Sequence, residues 1–290
     1  MQFTNIHQVV EFDRTLVHAS NIASKLRDKE NGNLNRNQEL AIVEIRREYL
    51  KYINAQMALV GYSDKVITDR VRLLNDYYNF FSKNGYDNTF TSQGKLRPTI
   101  LEEFMVILFR DLVTDLKDTT RDRTDILQLG NAKAYTNLYF KSEDLRSFVH
   151  NLHTGINTKD QDFAIYRTLN LSVNSSEGEC VNLPIIAVEV KTYLDKTMLE
   201  GSIATAEKIK SGNPYSKFYV VTENYDVDLS VDPFYSRIDQ IFVLRKSKRK
   251  EKPRIDIQPD VVCKFMQDVI THLNRRWGDV EEKMRNGLIL

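Results

Sequence analysis

Cysteine is nearly absent: the 290 residues hold two, Cys180 and Cys263, with no Cys-x-x-Cys spacing. That excludes a disulfide framework and a thiolate zinc site, and reads as two free thiols in a reducing cytosol with no catalytic role. Charge of one sign is missing as well. With 41 Lys and Arg against 40 Asp and Glu the formal net charge is +1, so any DNA-binding face has to be local. Nowhere do 18 apolar residues run together, and the opening Met-Gln-Phe-Thr-Asn-Ile lacks the basic-then-apolar layout of a signal peptide. The expectation is a soluble, intracellular, cytoplasmic protein with no membrane partner. A Walker loop, a Gly-x-Gly-x-x-Gly fingerprint and a Ser nucleophile elbow are all lacking, which argues against nucleotide-driven and acyl-transfer enzymes. There is no internal repeat and no low-complexity tract.

What is present divides near residue 97, with helical periodicity before it and mixed strand and helix patterns after it. Residues 37 to 60 carry Leu40, Ile42, Val43, Tyr49, Ile53, Met57 and Val60 among charged residues, and Ser63 is placed to cap a helix running through Phe81. Tyr77, Tyr78, Phe80 and Phe81 read as core rather than base-stacking residues. Ser82 to Pro98, with Asn84-Gly85, Gly94 and Pro98, suits a loop or linker. Thr99 and Glu102 then have capping-box spacing, opening a helix with an apolar face of Leu101, Phe104, Met105, Leu108 and Leu112 and further apolar residues on its flanks. Glu103 is the odd residue of that helix. It either approaches a catalytic centre or is a first-turn acid favoured by the helix dipole.

Downstream, strand-like segments are expected at Asp162 to Val173, at Leu183 to Lys191, at Lys217 to Thr222 and at Gln240 to Arg245. A helix from about Thr197 to Lys210 separates the second from the third, ends at Gly212-Asn213-Pro214, and serves as a crossover making those two strands parallel. Pro259 introduces a last helix, with Arg275 and Arg276 near its negative end.

Chemistry concentrates in Leu-Pro-Ile-Ile-Ala-Val-Glu-Val-Lys-Thr-Tyr, residues 183 to 193. Strand side chains alternate, so Glu189 and Lys191 share a face with Ile185 and Ala187. Burying unpaired charge costs several kcal/mol in order of magnitude, so an acid and a base inside an apolar strand point to something charged that binds them. Phosphodiester hydrolysis fits, because an attacking hydroxide and an anionic phosphate repel unless a divalent cation intervenes. Asp162 and Glu189 suit Mg²⁺, the Val190 carbonyl can add a ligand, and the Lys191 ammonium can orient water or offset charge on the phosphate without being a ligand. An acid-x-Lys triplet is common by chance. Glu281-Glu282-Lys283 and Asp115-Leu116-Lys117 satisfy it too, but in helix-like contexts that split the pair across faces.

The other candidates have plainer readings. Glu200 lies three residues after Thr197 and reads as a capping partner, or else as a spare acid on the helix after the catalytic strand. His150 and His153 lack a third ligand for zinc but lie close enough before Asp162 for a phosphate contact. Residues 245 to 254 carry seven cations and one acid, suiting either phosphate contacts or a solvated loop.

Asp162 followed by Glu189-Val190-Lys191 resembles the PD-(D/E)xK nuclease superfamily, and more closely its type II restriction endonucleases. Pro98-Thr-Ile-Leu-Glu-Glu-Phe and Val188-Glu-Val-Lys-Thr-Tyr-Leu-Asp-Lys-Thr-Met look like segments of the group that includes BbvCI and DdeI. Gln161 stands where the superfamily pattern has Pro, which leaves Asp160 as a competitor, but Asp162 adjoins the apolar Phe163-Ala164-Ile165 run. The resemblance implies an α/β fold with a mixed central sheet flanked by helices, a restriction-endonuclease-like core over 98–290, and an N-terminal helical region over 1–97 for DNA recognition or partner contact. It implies catalytic Asp162, Glu189, Lys191 and Glu103, metal contacts from Asp162, Glu189 and Val190, and Mg²⁺ as cofactor. The partners implied are double-stranded DNA, a second copy or a related subunit, and a cognate DNA methyltransferase, in a bacterial cytoplasm. A non-catalytic DNA-binding or partner subunit, and a repair or structure-selective nuclease of the same fold, are the alternatives.

Overall fold

Helices come first in the computed structural model, which describes residues 2–90, 96–121, 126–150, 152–172, 178–275, 277–278 and 280–287. Gly94, Val173 and Arg276 lie outside the described residues. The opening elements are α1 (Ile6–Phe12), α2 (Val17–Glu30), α3 (Arg36–Ala58), α4 (Asp64–Lys83) and α5 (Leu96–Thr120). Local chemistry sets their starts. Asn5 and Asn35 each form a full capping box with Gln8 and Gln38, and the Ser63 hydroxyl accepts from the Val66 N–H. The buried stripes of α3 (Ile42, Ile45, Tyr49, Ile53) and α4 (Ile67, Val71, Leu74, Tyr78, Phe81) have helical periodicity, but Leu40 and Val60, expected on the first of them, are exposed, Val60 lying beyond the end of α3. Tyr77, Tyr78 and Phe81 are core residues and Phe80 packs against them.

Helix α5 is apolar on nearly every side. Its start differs from the expected capping box. Leu96 is already helical, and the Thr99 hydroxyl donates to the Leu96 carbonyl at 2.9 Å and meets His18 Nδ1, so Thr99 caps nothing.

The remaining elements are β1 (Leu127–Lys141), α6 (Leu145–His150), β2 (His153–Leu171), β3 (Glu179–Lys191), α7 (Lys196–Gly212), β4 (Lys217–Thr222), β5 (Gln240–Val243), α8 (Pro259–Asn274) and α9 (Val280–Arg285). Among the described residues the strands form one sheet in the order β1-β2-β3-β4-β5, antiparallel from β1 to β3 and parallel from β3 to β5. This is the expected mixed central sheet flanked by helices, behind an N-terminal helical region. The β3–α7–β4 unit is the crossover that makes β3 and β4 parallel.

Each face of the sheet buries a different helix. Phe163, Ile165, Ile186, Val188, Val190, Tyr219, Val221 and Phe242 enter a core shared with α5, α8 and the N-terminal helices. Ala187, Phe218 and Val220 pack instead on Leu199, Ala206 and Ile209 of α7. Each fully buried Phe or Leu stabilises by about 1.5–3 kcal/mol. The larger core runs across residue 97 without a break, since Tyr49 and Phe81 belong to the same cluster as Phe163 and Phe265.

Alternation fails at one expected place. Ile185 packs on the α5 side rather than beside Ala187, because the β2–β3 register shifts between Ile165↔Ile186 and Tyr166↔Pro184 and leaves Ile185 bulged. The α7 cap is Asp195, whose side chain accepts from the Met198 N–H at 2.9 Å. Glu200 is therefore no capping partner; it is exposed, 4.0 Å from Lys196. Gly212 lies so close to the Thr136 carbonyl of β1 that any Cβ there would overlap it. His150 ends α6 and His153 opens β2, so the two share no helix face. Among the described residues, no helix is long and apolar enough to cross a membrane.

Candidate active site

The antiparallel ladder pairs Phe163 with Val188, so the next position along sets Asp162 opposite Glu189 on the face that α7 covers. Asp162 Oδ2 accepts the Val190 N–H at 2.8 Å, and Lys191 Nζ stands 3.5 Å from both Asp162 Oδ2 and Glu189 Oε2. The structure thus brings Asp162, Glu189 and Lys191 together. Their side chains are 33%, 12% and 28% exposed, so the cluster is half-sunk at an open edge rather than sealed. Asp160 is exposed and pairs in register with Lys133 of β1.

Ser202 of α7 completes the arrangement, its hydroxyl donating to Glu189 Oε2 at 2.6 Å. In both carboxylates one oxygen is engaged by protein donors. Among the described residues, no hydrogen bond reaches Asp162 Oδ1 or Glu189 Oε1. Sequence reasoning missed Ser202, although a signal existed: with Thr205 it is one of two polar members of the buried stripe Leu199, Ser202, Thr205, Ala206 and Ile209.

Neither Glu102, expected as a cap partner, nor Glu103, expected either near a catalytic centre or as a first-turn acid, sits in its expected place. Consecutive helical residues point about 100° apart, and it is Glu102 that faces the cluster. Burial pushes its carboxyl up to about 7, the Asp162 charge adds to that, and Lys191 opposes it. Glu102 shares a cleft of about 560 Å³ with Asp160, Gln161, Asp162 and Lys133. Glu103 points into the helical layer, buried, with Oε2 accepting from the Ala19 N–H and Oε1 from the Tyr49 hydroxyl, each at 2.9 Å. Burial pushes Glu103 up to about 7 against those two donors. It supports the packing of α2 and α3 on α5 and does not reach the cluster.

The cation-rich stretch divides in two. Arg245 is buried on Glu223, Lys246 pairs with Asp260 at 2.7 Å, and Arg254 reaches Glu223 at 3.3 Å. Lys248, Arg249, Lys250 and Lys252 are exposed. Among the described residues no group of three or more His, Cys, Asp or Glu is placed to hold a metal ion by itself. Two carboxylates with a free oxygen each still suit a hard cation that keeps several waters and takes the rest of its shell from a phosphate.

Comparison with known proteins agrees with this geometry. Residues 93–255 match the family model described as Bpu10I restriction endonuclease, which is more than half of the chain. The solved structure described as the native BbvCI A2B2 tetramer superimposes with a TM-score of 0.66 at 20% identity, covering 87% of this chain and 96% of that one, and shows the same fold. No curated protein matches the chain. With the match extending over the whole of β1 to β5, the chain belongs to the Bpu10I restriction endonuclease family.

Proposed function

We propose that this chain is a type II restriction enzyme, or one subunit of it, that hydrolyses phosphodiester bonds in double-stranded DNA with Mg²⁺ at Asp162, Glu189 and Lys191. The observation that carries the reading is the joint placement of Lys191 Nζ 3.5 Å from both carboxylates, with Ser202 and the Val190 N–H each holding one carboxylate oxygen aside. The free oxygens of Asp162 and Glu189 are the metal-facing ones. The N–H and C=O of a strand residue point to the same side, so the Val190 carbonyl lies toward Asp162 as a third candidate ligand. Bound Mg²⁺ supplies the positive charge that polarises the scissile phosphate and lowers the pKa of water. Lys191 contributes an ammonium beside the phosphate, where negative charge grows in the transition state. Glu102, across the cleft, is placed to hold or accept a proton from water.

Residues 1–97 are assigned to DNA recognition or partner contact and 98–290 to the nuclease core. One such centre cuts one strand, so duplex cleavage calls for a second copy of the chain or a related subunit. A nuclease of this kind works beside a cognate DNA methyltransferase that protects host sites, in a bacterial cytoplasm.

The test is cleavage of a supercoiled plasmid library with Mg²⁺, with EDTA, and with a Lys191→Ala variant. Discrete linear or nicked product that disappears in both controls is expected, and nicked product alone identifies a missing partner subunit. DNA binding with no cleavage across the library would refute the catalytic reading.

A further inference from the structure

The exposed cations between β5 and α8 sit on a loop whose two ends are clamped by one buried carboxylate. Glu223, 1% exposed, accepts from Arg245 Nε at 2.8 Å at the start of the loop and from Arg254 Nη2 at 3.3 Å at its end. Arg97 of α5 grips the same carboxylate from the other side at 2.6 and 2.8 Å. Further ties hold the loop between these ends. Arg245 Nη1 donates to the Ile255 carbonyl at 2.6 Å, the Tyr225 N–H to the Ser247 carbonyl at 3.1 Å, and the Arg249 N–H to Asp226 Oδ1 at 2.8 Å.

On this fixed frame Lys248, Arg249, Lys250 and Lys252 all face solvent, and among the described residues no ion pair within 4.0 Å neutralises any of them. With Glu251 among them the five residues from Lys248 to Lys252 carry a net charge of +3, and their like charges repel each other. A fold that pins them together holds ready an array whose repulsion an anionic ligand relieves, at little ordering cost on binding.

The array also has a definite place. With Thr192 and Tyr193 it lines a groove of about 580 Å³. Those two residues directly follow Lys191, and the Lys191 carbonyl accepts the Glu223 N–H at 3.0 Å. The Arg249 guanidinium lies 4.1 Å over the Tyr193 ring. Two residues of chain span at most about 7 Å, which is roughly two base-pair steps of duplex rise.

We propose that this groove receives the phosphate backbone of duplex DNA on one flank of the scissile position. Lys248, Lys250 and Lys252 are the phosphate contacts, and Arg249, set by Tyr193, is a positioning residue. The inference takes its ligand from the nuclease reading and adds the surface that receives it. Backbone contacts fix register and carry no base preference, so any duplex serves as probe.

The experiment measures binding of a fluorescent random-sequence 30-bp duplex (about three helical turns) to the full chain in EDTA over a range of salt concentrations. Wild type is compared with Lys248→Ala/Lys250→Ala/Lys252→Ala and with a control of equal charge change, Lys264→Ala/Lys283→Ala/Arg285→Ala on α8 and α9. Each phosphate contact contributes about 0.9 to the salt slope. The loop variant is expected to bind at least about tenfold more weakly at low salt and to lose between 2 and 3 from the magnitude of that slope, roughly 0.9 per contact. The control should match wild type. Because the substituted lysines are exposed and Arg245 and Arg254 are kept, the thermal transition should not move. Equal binding by loop variant and wild type overturns the proposal, as does an equal loss in the control or a wild type that binds no duplex. Plasmid cleavage with Mg²⁺ is scored in parallel. A chain that binds through the loop but never cleaves would sink the nuclease reading and leave the groove standing, while a cleaving chain indifferent to the loop does the reverse.

Discussion

Ser202 Oγ and Glu189 Oε2 are 2.6 Å apart, and in the proposed site that bond decides which carboxylate oxygen would remain for a metal. Without it Glu189 is free to rotate and both oxygens compete for Lys191. Removing an outer partner of a metal ligand typically lowers metal affinity about 10–100-fold. Ser202→Ala is therefore expected to weaken Mn²⁺ binding by that factor in calorimetric titration, with the thermal transition nearly unchanged because Ala suits a buried helical position. Unaltered Mn²⁺ affinity would show that Ser202 only fills space.

The adjacent acids of α5 should separate cleanly under mutation. Glu103→Ala strands two buried donors, the Ala19 N–H and the Tyr49 hydroxyl, each costing about 1–3 kcal/mol. Urea unfolding should show a loss of at least about 2 kcal/mol, with cleavage per folded molecule retained. Glu102→Gln should do the opposite: near-native stability, impaired cleavage. If Glu103→Gln, which keeps the shape, abolished cleavage at unchanged stability, the assignment of the two residues would be reversed.

Those two acids show what the sequence conveyed and what it did not. The apolar run from Leu183, the placement of Glu189 and Lys191, and the parallel β3–β4 pair followed from strand periodicity and a short crossover, both local properties. The choice between Glu102 and Glu103 rested on where α5 begins. A capping-box spacing at Thr99 seemed to explain Glu102, but the helix starts earlier, which frees Glu102 to turn toward Asp162. Strand β1 went unread because the buried positions of its alternation, Gly130, Ala132, Ala134 and Thr136, are small or polar, so the period-two run carries almost none of the β-branched or aromatic signal that marks a strand. The hydrogen bond from Ser202 and the clamp on Glu223 join residues far apart in sequence. Only the assembled fold brings such pairs together.

Glu223 makes acid sensitivity predictable in sign. Burial alone would raise its carboxyl, but the guanidinium of Arg97, followed by those of Arg245 and Arg254, outweighs burial and holds it at about 2, below the usual 4.5. A depressed folded-state value means stabilisation present above pH 4.5 and lost as pH falls toward 2, on the order of 3 kcal/mol in all. Glu223→Gln should be markedly less stable than wild type at pH 7, and the gap should close progressively between pH 4.5 and 2. Urea midpoints across that range provide the check; a gap independent of pH would mean that the three arginines are held by something other than the Glu223 charge.

Lys191 makes opposite demands on metal binding and on catalysis. Its ammonium stands 3.5 Å from both proposed ligand carboxylates, repelling any cation that enters, by about 1 kcal/mol in water-like screening. Under the proposed mechanism the same charge lies beside the phosphate in the transition state, and losing one such donor costs about 10²–10³ in rate. Lys191→Met, which keeps the aliphatic stem, should therefore bind Mn²⁺ at least as tightly as wild type while losing cleavage by that factor. Asp162→Asn should lose both, since the amide still accepts the Val190 N–H but no longer offers a charged ligand. Parallel Mn²⁺ titrations and plasmid digests of the two variants separate the roles, and a Lys191→Met protein that lost its metal affinity along with its activity would place Lys191 in organising the site rather than acting on the phosphate.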